Sequence, residues 1–224
     1  MPDIKLTASD GHQLDGFRLD PKASPRGGLV VLQEIFGVND HIRSVVAMYT
    51  GLGYACLAPA LFDRIEPGVR LGYGDADFGT GLGLAQKLDP EQVILDVNAA
   101  IANLAASGVG KIAVIGYCLG GALTWLSAAR AEGLSAAISY YGAQIPMFVD
   151  ARPRVPTLFH LGQRDGYFPI AKAREICSAV EGGEVHEYDA DHGFACDHRP
   201  PVFDAAATAL AFERSIAFLA EQLG

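Results

Sequence analysis

Positive charge is in short supply in this chain: 17 Lys and Arg stand against 26 Asp and Glu, a formal net charge of -9. Nucleic-acid binders draw most of their affinity from neutralising phosphates, and anionic membranes likewise select for cations, so neither partner is expected. Long apolar runs are missing too. No stretch approaches the ~18 residues of a membrane span, and the first twenty residues lack the apolar core of a secretory leader. Cysteine is sparse. The four, at positions 56, 118, 177 and 196, show neither C-x-x-C spacing nor the density of a disulfide scaffold. A reducing cytoplasm is the expected setting, where a lone thiol stays free for chemistry. Repeats, low-complexity tracts and Pro/Ser linkers are absent as well, so residues 1–224 are expected to form one domain with one sizeable core.

What is present is a regular alternation of strand and helix patterns. "GHQLDGFRLD" (11–20) reads as a strand of an N-terminal hairpin, and "GGLVVLQEIFG" (27–37) as a buried strand running into a loop at Glu34. Residues 39–53 read as a helix capped by Asn39 or Asp40 and stopped near Gly53. "YACLAPAL" (54–61) is a strand ended by Pro59. Residues 61–88, rich in Gly, Asp and Arg, are expected to be an irregular excursion lying over an active site. A helix follows over 90–107 with Pro90 in its first turn. Strands are then expected at 111–117, 135–142, 156–162 and 184–190, with helices at 120–133, 171–183 and from Val202 to Leu223. The alternation predicts an α/β fold with a mainly parallel sheet covered by helices on both faces. In such sheets chemistry gathers beyond the carboxyl ends of the strands. Cys118, Asp165 and His192 each fall just past a strand.

Cys118 lies in "GYCLGG" (116–121), a thiol version of the G-x-S-x-G nucleophile elbow. Gly116 and Gly120 remove β-carbons that a sharp strand-to-helix turn would crush. The helix that follows turns its free N–H groups and positive dipole end toward the sulfur, and Leu119 N–H is offered to an oxyanion. The same Gly-rich turn also suits plain close packing or a phosphate cradle, although it has no Lys for the latter. Chain order favours the elbow, because an acid (Asp165, in "GQRDGYFP") and then a His (His192, in "DHGFACD") follow the nucleophile. His160 lies inside a strand pattern and reads as a core residue. His192, Cys196 and His198 are close in sequence, but no H-x-x-x-H pair or second Cys cluster completes a tetrahedral set, so no metal and no cofactor are expected.

These pieces, together with "VVLQEIFG" (30–37), "YACLAPALFDR" (54–64) and "AATALAFERSIAFL" (206–219), resemble the dienelactone hydrolase (carboxymethylenebutenolidase) family of the α/β-hydrolase fold over nearly the whole chain. The resemblance implies a Cys118–His192–Asp165 triad and a small ester or lactone as substrate. It also implies that Glu34 helps deprotonate Cys118 when substrate enters, and that Ile35 supplies the second oxyanion N–H beside Leu119. One position departs from the pattern: Cys196 stands where an arginine four residues after the catalytic His would hold a substrate carboxylate. Arg64, Arg70 and Arg199 are the possible replacements, with Arg64, in "LFDR", nearest a family motif. A general carboxylesterase or thioesterase, and a non-catalytic binder that keeps the pocket, are the alternatives. A glutamine amidotransferase-like domain would want His-x-Glu where this chain has His192, Gly193 and Phe194.

Overall fold

The computed structural model describes residues 3–224. Its centre is an eight-stranded sheet in the order β1-β2-β4-β3-β5-β6-β7-β8. The strands are β1 (Asp3–Thr7), β2 (Gln13–Leu19), β3 (Gly28–Leu32), β4 (Ala55–Pro59), β5 (Ile112–Tyr117), β6 (Leu134–Tyr140), β7 (Thr157–Gly162) and β8 (Gly183–Tyr188). β1 and β2 form the antiparallel edge, and the six strands from β4 to β8 run parallel. The helices are α1 (Asp40–Gly51), α2 (Asp75–Ala85), α3 (Pro90–Ala105), α4 (Leu119–Arg130), α5 (Ile170–Cys177) and α6 (Ala205–Leu223).

The central strands are apolar on both sides because helices cover both sides. Along β3 and β5, Leu29, Val31, Ala113 and Ile115 point into one core with Ile42, Val46 and Tyr49 of α1 and Leu219 of α6. Val30, Leu32, Ile112 and Val114 point the other way, against Val93, Val97 and Leu104 of α3. A third cluster joins α4 to α5 through Trp125, Phe159 and Cys177. Helix ends follow local chemistry. The Asn39 side chain accepts from Ile42 N–H at the start of α1, and Asp89 does the same for Glu91 N–H ahead of Pro90. No helix of the described residues is long and apolar enough to cross a membrane.

Two expectations need correction. Residues 61–88 are not irregular throughout: a 3-10 turn spans Leu61–Arg64 and the helix α2 spans eleven residues. Its three glycines and near-absent apolar stripe hid it, since it buries only Gly81 and Leu84. α5 stops at Cys177 rather than running to 183, and the chain turns through Gly182 at φ +70°.

Strand order reverses at β3. From there the chain steps to β4 on one side, then crosses to β5 on the other. That switch point opens a crevice at the carboxyl ends of β3 and β5. Leu32 of β3 is in register with Gly116 of β5, so Glu34 and Cys118, each two residues further on, leave adjacent strands side by side.

Candidate active site

The turn at the end of β5 is as tight as its glycines demand. Cys118 has φ +54° and ψ -114°, one of only two non-glycine residues at positive φ among those described. A β-carbon on Gly116 would lie 2.1 Å from the Gly120 carbonyl oxygen, and one on Gly120 would lie 2.3 Å from that of Leu32. Neither clash involves a movable side chain, so only glycine lets the first turn of α4 press onto the end of β3. The strained residue is the one whose side chain is presented, as in other functional turns. Leu119, the first residue of α4, has no acceptor for its N–H within the helix. Ile35 sits in the short turn bridged by Glu34 and Gly37, beside the end of β3.

Asp165, three residues past β7, and His192, four past β8, meet at that same end of the sheet. Asp165 Oδ1 accepts from the backbone N–H groups of Tyr167 (2.8 Å) and Phe168 (3.0 Å), which fixes the carboxylate. Its Oδ2 lies 2.8 Å from His192 Nδ1. Since an ionised carboxylate only accepts, His192 Nδ1 carries the proton and Nε2 is left for the reaction. Burial works against a charge on His192, but the Cys118 sulfur and Asp165 outweigh it and raise the imidazole to about 10. Two aromatic rings hold it edge-on, Tyr141 at 5.1 Å and Tyr167 at 5.0 Å between centroids. Cys118 is partly exposed, whereas Asp165 and His192 are buried. The arrangement can pass a proton from a thiol to an imidazole steadied by a carboxylate.

Glu34 is buried beside the elbow, 1% exposed. Tyr73 O–H donates to its Oε2 at 2.9 Å, while Oε1 has no hydrogen-bond partner. Burial and the neighbouring Glu34 carboxylate hold the Tyr73 hydroxyl protonated far above the ordinary range. Burial, and then Glu34, also push the Cys196 thiol up to about 12. Tyr73 and Tyr141 were not legible as site residues. Each comes from a distant segment, and only a shared sheet edge brings it in.

Arg64 does not stand ready for a substrate. Its guanidinium forks onto Asp96 with two 2.8 Å bonds and onto Asp10 with two more, of 2.8 and 3.3 Å, and its side chain is 9% exposed. Burial disfavours its charge, but the two carboxylates outweigh that and raise it further. All its donors face these acids, so it is a structural tie between α3 and the 8–12 turn rather than a substrate clamp. Arg70 is half exposed and lies 3.7 Å from Asp3. Of the three, only Arg199 approaches the site, its guanidinium lying 5.9 Å from the centroid of the Tyr73 ring. His160 is a core residue as expected, between Tyr188 O–H at 2.8 Å and the Ser215 hydroxyl at 2.9 Å.

Comparison with known proteins places the whole chain in one family. The family model of the dienelactone hydrolase family matches residues 14–223. The carboxymethylenebutenolidase of Pseudomonas putida is 36% identical, the match covering 97% of this chain and 95% of the relative. The carboxymethylenebutenolidase 1 of Cupriavidus pinatubonensis is 33% identical over the same shares. Among solved structures, a candidate dienelactone hydrolase from Klebsiella pneumoniae superposes with a TM-score of 0.81 at 27% identity, covering 97% of this chain and 98% of that one. The chain belongs to the dienelactone hydrolase family and is a hydrolase of ester or lactone bonds.

Proposed function

We propose that this single-domain chain hydrolyses a small ester or lactone through an acyl-thioester on Cys118. The sulfur attacks the carbonyl carbon as its proton passes to His192 Nε2, and the oxyanion is held by the Ile35 and Leu119 N–H groups. Collapse of the tetrahedral species expels the alkoxide or enolate, which takes a proton from His192. Water, deprotonated by His192, then attacks the thioester, and the carboxylic acid leaves as the sulfur is released. Asp165 keeps the imidazole oriented and balances its charge. The Cys118 proton reaches His192 by way of Glu34, which takes it up from the sulfur when substrate enters and then passes it on. A thiolate is itself readily expelled by alkoxide, so enol and aryl esters suit this nucleophile and amides do not. No cofactor is required. A reducing compartment such as the cytoplasm would keep the sulfur free, and all four cysteines are unpaired here.

The observation that carries this reading is the Asp165–His192 pair, 2.8 Å apart and buried, acting on a thiol at positive φ. A second feature bears on the substrate. An apolar cavity of about 370 Å³ adjoins Leu119, lined by Leu82, Leu88, Val93, Leu123 and Phe148. With Arg64 occupied and Cys196 at the arginine position, this lining favours a neutral apolar acyl or alcohol group over a carboxylate-bearing lactone. For the latter, Arg199 is the remaining cation. A screen of dienelactone, aryl esters and acyl thioesters with wild type and Cys118→Ala tests both points. Turnover of aryl esters is expected to exceed that of dienelactone and to fall on the order of 10³-fold or more in the variant. Undiminished turnover by Cys118→Ala removes the proposed nucleophile.

A further inference from the structure

Beside the triad, three side chains from separate segments converge: Glu34 after β3, His41 in the first turn of α1 and Cys196 in the loop after β8. One potential ligand atom of each lies within 4.8 Å of the other two. The residues are 1%, 2% and 0% exposed. Two of their polar atoms, Glu34 Oε1 and His41 Nε2, are buried without any hydrogen-bond partner. Unpaired buried donors and acceptors are rare because each forfeits its hydration, and two in one cluster ask for a common partner.

The other atoms of the same groups are already engaged, in a manner that orients these. Asp197 Oδ1 accepts from His41 Nδ1 at 3.1 Å, which leaves the Nε2 lone pair for the cluster. Tyr73 O–H takes up Glu34 Oε2, which leaves Oε1. A carboxylate on the far nitrogen of an imidazole, and a hydrogen bond on the far oxygen of a carboxylate, are the outer supports that metal-binding side chains use. A cleft of about 230 Å³ adjoins His41 and Tyr73, lined also by Asn39, Asp40, Arg70 and His198.

We propose that Glu34, His41 and Cys196 form a binding site for a borderline-soft divalent cation, Zn²⁺ above all, placed so that the ion takes Glu34 away from Cys118. The mixed oxygen, nitrogen and sulfur donor set is one that zinc accepts. Bonds of about 2.0–2.3 Å would draw the three ligand atoms to roughly 3.3–3.8 Å from one another, a modest contraction. On binding, the S–H bond of Cys196 breaks, its proton goes to solvent and the sulfur bonds the metal. The carboxylate and the neutral imidazole bind without proton loss. One thiolate and one carboxylate then balance the ion's two charges. Spacing along the chain pointed to no metal because the ligands come from three segments that only the fold unites.

The site shares Glu34 with the reaction, and its effect on turnover rests on the part proposed for that residue, so the test separates binding from inhibition. Co²⁺ is titrated into Cys118→Ala, which removes the competing thiol. One equivalent is expected to give a thiolate-to-cobalt charge-transfer band in the near ultraviolet, which Zn²⁺ displaces. Adding Cys196→Ser should abolish that band. Adding Asp197→Asn instead, an exposed substitution that leaves the core untouched, should weaken binding about 10–100-fold while keeping the band. Absence of the band in folded Cys118→Ala, or its persistence with Cys196→Ser, overturns the proposal. Zn²⁺ should inhibit ester turnover by wild type, and Cys196→Ser far less, each relative to its own metal-free rate. Binding without inhibition upholds the site and instead overturns the role assigned to Glu34.

Discussion

Glu34 is the residue whose part is least readable from its neighbours in sequence and most constrained by its neighbours in space. Cys118, Asp165 and His192 could be picked out because a motif, a turn and a chain order each marked them. Glu34 was marked only by family resemblance, and its partner Tyr73 not at all, since a tyrosine in a Gly- and Asp-rich stretch carries no local signal. Arg64 shows the opposite failure. A motif put it near the chemistry, yet Asp10 and Asp96 take up its donors. Glu34→Gln separates burial from proton acceptance, because the amide oxygen can still accept from Tyr73 but the side chain can no longer take up a proton. If Glu34 receives the thiol proton, kcat/KM for an aryl ester should fall about 10²-fold. Thermal stability should be kept, because an unpartnered buried carboxylate oxygen is exchanged for a neutral group. Steady-state kinetics and a melting curve on the same preparation check both halves. Wild-type kcat/KM in the variant would leave Glu34 a structural carboxylate.

The inner strands were legible as short runs apolar at nearly every position, because helices cover both faces. α1 and α3 were legible because caps and stripes agreed, and α4 because the elbow marked its start. α2 was not, since a helix with three glycines in eleven residues and one buried leucine has neither cap nor stripe. What holds it is a close approach: a β-carbon on Gly81 would sit 2.1 Å from the Ile35 carbonyl oxygen. The helix therefore braces the turn that presents the Ile35 N–H. Its glycines make a matched test. Gly79 and Gly83 have open space around an added methyl, and alanine there should stabilise α2 by roughly 0.4–1 kcal/mol, or a rise of one to a few degrees in Tm. Gly81→Ala must instead push the 34–37 turn aside, with an expected loss of about 1–3 kcal/mol. Its ester turnover should drop by more than that of Gly79→Ala, because the proposed oxyanion donor, Ile35 N–H, moves with the turn. Equal kinetics for the two variants would mean that α2 does not set the position of Ile35.

For the molecule as a whole, His192 and the buried thiols and phenols act together on the alkaline side. In the unfolded chain a histidine titrates near 6.5, whereas in the native state the Cys118 sulfur and Asp165 overcome burial and hold His192 to about 10. Below the unfolded value both states carry the proton and the native state keeps the full benefit. As the pH rises toward 10 the unfolded chain gives up that proton first, the native state binds the excess, and stability declines. Burial of Cys56 and Cys177, each pushed up to about 12, adds a loss of the same sign, but at higher pH, where free thiols ionise. The buried hydroxyls of Tyr49, Tyr117, Tyr140 and Tyr141, all raised by burial, follow later still. Tm should therefore begin to fall between pH 7 and 9 on account of His192 and steepen above pH 9. Cys118→Ala removes the sulfur that supports the imidazolium but none of the later groups, so it should flatten the first limb and leave the second. Melting curves at half-unit intervals would resolve the two limbs. A Tm unchanged from pH 7 to 9, or a first limb indifferent to Cys118, would mean that the sulfur does not help hold the proton on His192 in the native fold.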